Sequence, residues 1–145
     1  MPGSWAYFDT SVLVKRYVQE EGSSHAPRLL RKHRILTSAI ATTEAISALF
    51  RRRALEELTA KHFSEIFSRI KADRAHWELV EVSALILKEA EEVILNTGLR
   101  TLDAIHLASI LTFQTASGIQ IPFITGDSKQ QEAAAHVELD AVWVG

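Results

Sequence analysis

Short apolar, β-prone runs alternate along the chain with longer stretches in which apolar residues recur every three or four positions. The runs Trp5–Phe8, Arg34–Thr37, Trp77–Val82, Pro122–Thr125 and Ala141–Val144 read as strands. Helices are expected between them, near Ser11–Gln19, Ser24–Lys32, Ala39–Arg53, Thr59–Ala75, Ala84–Thr97, Leu102–Ala116 and Lys129–His136. This alternation implies a parallel sheet covered by helices on both faces, a three-layer α/β/α class. The punctuation agrees with several boundaries. Asn96 to Gly98 can close a helix, Thr101 can cap one, Ser128 with Gln131 can form a capping box, and the Glu-Gly-Ser-Ser stretch at 21–24 can turn. No repeat, linker or low-complexity tract interrupts the pattern, so residues 1–145 read as one domain.

One segment resembles a membrane span in length, because 104–126 contains no Asp, Glu, Lys or Arg. It nevertheless holds His106, Gln114, Gln120, a Ser-Gly pair at 117–118 and Pro122, and so reads as a buried helix, a turn and a short strand. No membrane association is expected. Trp5, Trp77 and Trp143 fall on or beside strands and are expected in the core.

Composition narrows the chemistry. At 145 residues and 47% hydrophobic content the chain is long enough to bury a core without disulfides or structural zinc. It has no cysteine, which excludes thiol nucleophiles, thiol redox chemistry, iron–sulfur clusters and Cys-based zinc sites. The missing thiols and the absence of a signal-peptide pattern in the N-terminal MPGSWAYFDTS make the cytoplasm the expected compartment. A net charge of −2 conceals a strong asymmetry: residues 1–74 carry 13 basic and 8 acidic side chains, residues 75–145 carry 3 and 10. The basic stretch includes Arg51, Arg52 and Arg53 and could hold a polyanion, although solvated helix faces would give the same count.

Phosphate-cradling GxGxxG and Walker loops, a GxSxG elbow and an HExxH helix are all missing. What remains is a set of carboxylates in apolar or small-residue surroundings. Asp9 ends the run WAYFD, Glu44 lies in the otherwise uncharged TSAIATTEAISALF, Asp103 opens LDAIHLASIL, and Asp127 follows PFITG. An ordinary cap or turn would account for any one of them. If all four converge at about 6 Å, each pair repels by roughly 3 kcal/mol at an effective dielectric near 20. A divalent cation relieves that repulsion, and all-oxygen ligation favours Mg²⁺ or Mn²⁺. Such a site acts on phosphates by activating and orienting water. Thr10, Ser11 and Thr125 can tie down the carboxylates or water ligands, or simply cap helices. His106, one turn after Asp103, can meet a carboxylate or a phosphate or simply pack, and Arg100 can meet a substrate backbone or lie solvated in its loop.

The segments FDTSVLVKRY, TSAIATTEAISALFRR, LRTLDAIHLAS and FITGDSKQQEAA, in this order and spacing, resemble the PIN-domain family, and within it the VapC-type toxin ribonucleases. The resemblance spans nearly the whole chain. It implies a five-stranded parallel sheet, an Mg²⁺- or Mn²⁺-dependent endoribonuclease leaving a 5′-phosphate and a 3′-hydroxyl, frequent homodimers, and often a small antitoxin that blocks the acidic pocket. Asp9, Glu44, Asp103 and Asp127 match its acidic positions and are expected to be metal ligands or water-orienting groups. Gln130 departs from the pattern, since relatives commonly carry an apolar residue there, and this bears on how the last helix packs. The leading expectation is an RNA-cleaving toxin. The alternatives are a nuclease for DNA or structured RNA, and a catalytically silent module that binds RNA or a partner.

Overall fold

The structure, a computed structural model, describes residues 3–20 and 22–145. Five parallel strands, β1 (Trp5–Phe8), β2 (Arg34–Ser38), β3 (Glu78–Val80), β4 (Phe123–Thr125) and β5 (Ala141–Trp143), form one sheet in the order β3-β2-β1-β4-β5. Seven helices connect them: α1 (Thr10–Val14), α2 (Ala26–Lys32), α3 (Ala41–Ala54), α4 (Ala60–Asp73), α5 (Ala84–Thr97), α6 (Thr101–Ser117) and α7 (Ser128–His136). The expected α/β/α fold and its five parallel strands are therefore present.

The two faces follow from the strand period of two. On β1 and β4, Tyr7 and Phe123 point to one face, where they pack with Ile86 and Val93 of α5, Leu107 and Ile110 of α6 and Ala134 of α7. Ala6, Phe8 and Ile124 point to the other, against Val12 and Leu13 of α1 and Leu29 and Leu30 of α2. A third apolar cluster joins Val14, Tyr17 and Val18 to Ala45 and Leu49 of α3 and Ile66 and Ile70 of α4. The central strand β1 is thus covered on both sides, as a parallel sheet requires. Among the described residues no helix is long and apolar enough to cross a membrane, and the uncharged segment forms the buried helix α6 and strand β4.

Local differences from the sequence reading have physical reasons. The first helix stops at Val14 instead of Gln19, because Lys15, Arg16 and Tyr17 donate to carbonyls only three residues back and the chain tightens into turns. Tyr17 and Arg16 then reach Asp73 at the end of α4. The expected capping box at Ser128 does not form; Asp127 caps α7 by accepting from the backbone N–H of Lys129 and Gln130. Arg100, and not Thr101, occupies the N-cap position of α6. Gly98, at φ 73°, closes α5 in the left-handed region as expected. The turn at 22–24 is present, while Glu21 lies outside the described residues. Trp77 is buried, but Trp143 is 40% exposed because β5 is an edge strand with little to cover its outer side.

Leu107 has no exposed surface, whereas Leu95 on the outer side of α5 is 80% exposed. Leu107→Ala is expected to cost about 2–5 kcal/mol, and Leu95→Ala no more than about 0.5 kcal/mol. Urea unfolding of the two variants measures both.

Candidate functional site

In this strand order the chain runs outward from β1 to β3 on one side and returns to β4 and β5 on the other, so β1 and β4 flank the point where direction switches. Open α/β sheets bind ligands there, beyond the carboxyl ends of the strands. Asp9 directly follows β1, and Asp127 lies two residues beyond β4. The first turns of α3 and α6 bring Glu44 and Asp103 to the same end.

Asp9 is 3% exposed, and a buried carboxylate is tolerable only if it is hydrogen-bonded. Although it stands at the N-cap of α1, its side chain makes no cap bond. Its Oδ2 instead accepts from the hydroxyls of Ser11 at 2.6 Å and Thr125 at 3.0 Å, and its Oδ1 accepts from Gln130 Nε2 at 3.2 Å. Both hydroxyls are themselves held: Ser11 Oγ accepts from the Gly126 N–H and Thr125 Oγ1 from the Asp127 N–H, each at 3.0 Å. A Cβ at residue 126 would come within 2.7 Å of both the Lys15 side chain and the Val144 carbonyl, so only glycine lets this loop approach so closely.

The other acids join through shared donors. Gln130 Nε2, 3.2 Å from Asp9 Oδ1, also donates to Asp103 Oδ1 at 2.9 Å. His106 Nε2 lies 2.6 Å from Glu44 Oε1 and 3.7 Å from Asp9 Oδ1. Thr10 donates its hydroxyl proton to Glu44 Oε1 at 2.7 Å, and Tyr7 Oη meets His106 Nδ1 at 2.7 Å. Asp127 gives Oδ1 to the start of α7 and shares a cleft of about 710 Å³ with Asp103, Arg100 and Lys129. A second cleft, of about 650 Å³, holds Glu44 with Arg51 and Arg52, and Ser11 lines both. Glu44, Asp9 and Asp103 thus form a linked row, with Asp127 at its open end.

Electrostatics follow this arrangement. Burial pushes the Asp103 carboxyl above the usual range; the Gln130 amide opposes the shift, and the negative charges of Asp127 and Asp9 add to it. Burial also pushes Glu44 upward, but hydrogen bonds from His106 and Thr10, together with the His106 charge, hold it below its ordinary value. Burial would lower His106; the Glu44 hydrogen bond and the charges of Asp9, Glu44 and Asp103 outweigh it and raise the imidazole.

The lower-ranked candidates divide. Thr10, Ser11, Thr125 and His106 all contact carboxylates, and His106 is at once fully buried and bonded to Glu44. Arg100 is exposed at the rim of the first cleft. Arg51 to Arg53 do not form one rim, since successive helical residues point about 100° apart. Arg51 and Arg52 line the second cleft, Arg52 pairing with Glu20, whereas Arg53 stacks over Phe63 of α4. Two site residues lay outside the sequence reading. Tyr7 read only as strand core. Gln130 read only as a packing departure, though its spacing from Ala133 and Ala134 places an amide on the buried face of α7.

A PIN domain family model matches residues 6–136. This chain belongs to the PIN-domain family. No curated protein sequence matches it. Among solved structures, a toxin–antitoxin complex from Klebsiella pneumoniae is similar at a TM-score of 0.69 and 17% identity, covering 97% of this chain and 98% of that one. VapBC2 from Rickettsia felis, bound to a DNA fragment from its promoter, is similar at 0.62 and 13%, covering 99% and 100%. VapBC-1 from nontypeable Haemophilus influenzae follows at 0.60 and 13%, covering 97% and 98%. At these identities the likeness establishes the fold.

The PIN-domain family implies a divalent ion. Among the described residues no three of His, Asp and Glu are gathered tightly enough to enclose one. The donors still suit Mg²⁺ or Mn²⁺: Asp9 and Asp103 are oxygen ligands bridged by one amide, and Mg²⁺ is usually held by one or two carboxylates with water and substrate phosphate completing its shell.

The shifts fix a sign for pH dependence in EDTA. His106 binds its proton more tightly folded than unfolded, so its contribution is complete below the unfolded value, about 6.5, and is lost as pH rises through the folded value. Glu44 and Asp103 shift in opposite senses and act only in the acid range. The melting temperature of the metal-free protein is expected to decline as pH rises above neutrality, and His106→Asn to flatten that decline; calorimetric scans at a series of pH values check it.

Proposed function

We propose that residues 1–145 act as one catalytic domain, an endoribonuclease dependent on Mg²⁺ or Mn²⁺ and the toxin of a toxin–antitoxin pair. The observation that carries the reading is the Asp9–Asp103 pair: two carboxylates from distant segments, one almost wholly buried, joined by a single amide at the switch point of a PIN fold.

Asp9 and Asp103 would hold the ion. When bound, it would lower the pKa of a water molecule and neutralise charge on the phosphate being cut. Asp127, half occupied by its cap, and Glu44 orient water from either end of the row. His106, tied to Tyr7, keeps Glu44 in place and ionised. Ser11 and Thr125 fix the Asp9 carboxylate plane, so that little reorganisation is needed when substrate arrives. Arg100 and Lys129 at one cleft, with Arg51 and Arg52 at the other, supply positive charge where an RNA backbone would pass an otherwise repulsive pocket.

The toxin reading is supported by the neighbours from Klebsiella pneumoniae, Rickettsia felis and Haemophilus influenzae, all described as toxin–antitoxin or VapBC assemblies. By the same likeness we propose a small antitoxin partner; a homodimer is proposed from the family resemblance, and a cytoplasmic location from the absence of cysteine and of a signal-peptide pattern.

Purified protein is expected to cleave RNA with Mg²⁺ or Mn²⁺ and to stop in EDTA. Loss of an outer partner of a metal ligand commonly costs 10–100-fold, so Asp9→Asn and Asp103→Asn, which remove ligands, should each reduce cleavage by more than about 100-fold with circular dichroism unchanged. Raising the salt should weaken RNA binding in wild type and variants alike. Undiminished cleavage in both variants would end the assignment, and RNA retention without any cleavage would favour the silent binding module.

A further inference from the structure

Gln130 is 1% exposed, in the first turn of a helix whose buried face is otherwise alanine. Packing does not account for it. Its Oε1 is buried without a hydrogen-bond partner among the described residues, a desolvation cost that an apolar side chain of the same length would avoid. The amide's orientation is nonetheless decided by charge. Nε2 carries two hydrogens and faces two carboxylate oxygens, Asp9 Oδ1 at 3.2 Å and Asp103 Oδ1 at 2.9 Å. The reversed amide would set a carbonyl oxygen against both anions. The backbone N–H of the same residue donates to Asp127 Oδ1 at 3.2 Å, so this one position touches three of the four acids.

An ionised carboxylate has about four lone-pair sites. Asp9 gives three to Ser11, Thr125 and Gln130, and Asp103 gives one to Gln130, so both retain capacity for a further partner. Lone pairs on both carboxylates therefore remain for a cation beside the amide.

We propose that Gln130 is a positioning residue for the acid pair: its side-chain amide holds Asp9 and Asp103 at a fixed separation and so prepares them to bind a divalent cation. The inference rests on the metal-dependent reading above and deepens it by naming the residue that sets the ligand geometry. An apolar residue at 130 would leave the two carboxylates to repel each other and swing apart, and the ion would then have to order them itself.

The test is Mn²⁺ binding to nucleotide-free protein, followed by electron paramagnetic resonance of the free ion, for wild type, Gln130→Leu and the unbranched Gln130→Met. Both variants are expected to bind Mn²⁺ about 10–100-fold more weakly while keeping the wild-type circular dichroism spectrum; two variants guard against one that fails to fold. Unchanged or tighter binding in the folded variants overturns the role of Gln130 and leaves the nuclease reading standing. Wild-type protein that binds no Mn²⁺ overturns the nuclease reading itself. The bridge is then judged by the side-chain amide resonances of Gln130 in metal-free protein, identified by their loss in Gln130→Leu. Slow hydrogen exchange supports the bridge, and exchange as fast as that of an exposed glutamine overturns it.

Discussion

The dominant constraint on this molecule is the cost of a carboxylate buried at the end of the central strand. Asp9 is removed from water on nearly every side, and an ionised group there is stable only if the protein supplies donors in place of solvent. It supplies three, from α1, the end of β4 and α7, and each is fixed by a further contact. The Gly126 and Asp127 N–H groups donate to two of those hydroxyls, which locks the loop after β4 against the loop after β1. The end of the sheet where the four acids lie is therefore also where its two halves are held in register.

Charge divides the site into two environments. On the Glu44 side an imidazole compensates: His106, fully buried and drawn toward its charged form, faces one carboxylate directly and a second at longer range. On the Asp103 side the direct partner is a neutral amide, with the His106 charge acting only from a distance, and the carboxyl is pushed upward by burial and by its acidic neighbours. This side opens onto the larger cleft. The imidazole thus offsets negative charge beside Glu44, whereas Asp103 keeps an excess of it at the first cleft.

Much of this was legible in the sequence, for reasons that can be named. The strand and helix pattern was strong because the central strands β1 and β4 are almost wholly buried and helices such as α5 bury one side and expose the other, so periodicity and burial coincide. Asp9, Glu44, Asp103 and Asp127 stood out because acids in small-residue or apolar runs are unusual, and all four sit at one end of the sheet. What remained hidden depends on tertiary geometry. The early stop of the first helix, where the chain tightens into turns, goes with contacts from Tyr17 and Arg16 to Asp73, which is far away in sequence. The division of labour among Arg51, Arg52 and Arg53 depends on which helix lies beside each of them. Gln130 gave a real signal, an amide on an alanine face, but only the positions of Asp9 and Asp103 show what that amide is for.

The bonds around Asp9 join residues 116 and 121 positions apart in the chain. Parallel strands close no local hairpins, so such contacts form only after large loops have been ordered, and folding is correspondingly late to reward them. A polypeptide clipped before the final helix would lack Gln130, and one still emerging from the ribosome would lack Thr125 as well, leaving Asp9 only Ser11 among these donors. The pocket is in this sense a property of the finished fold.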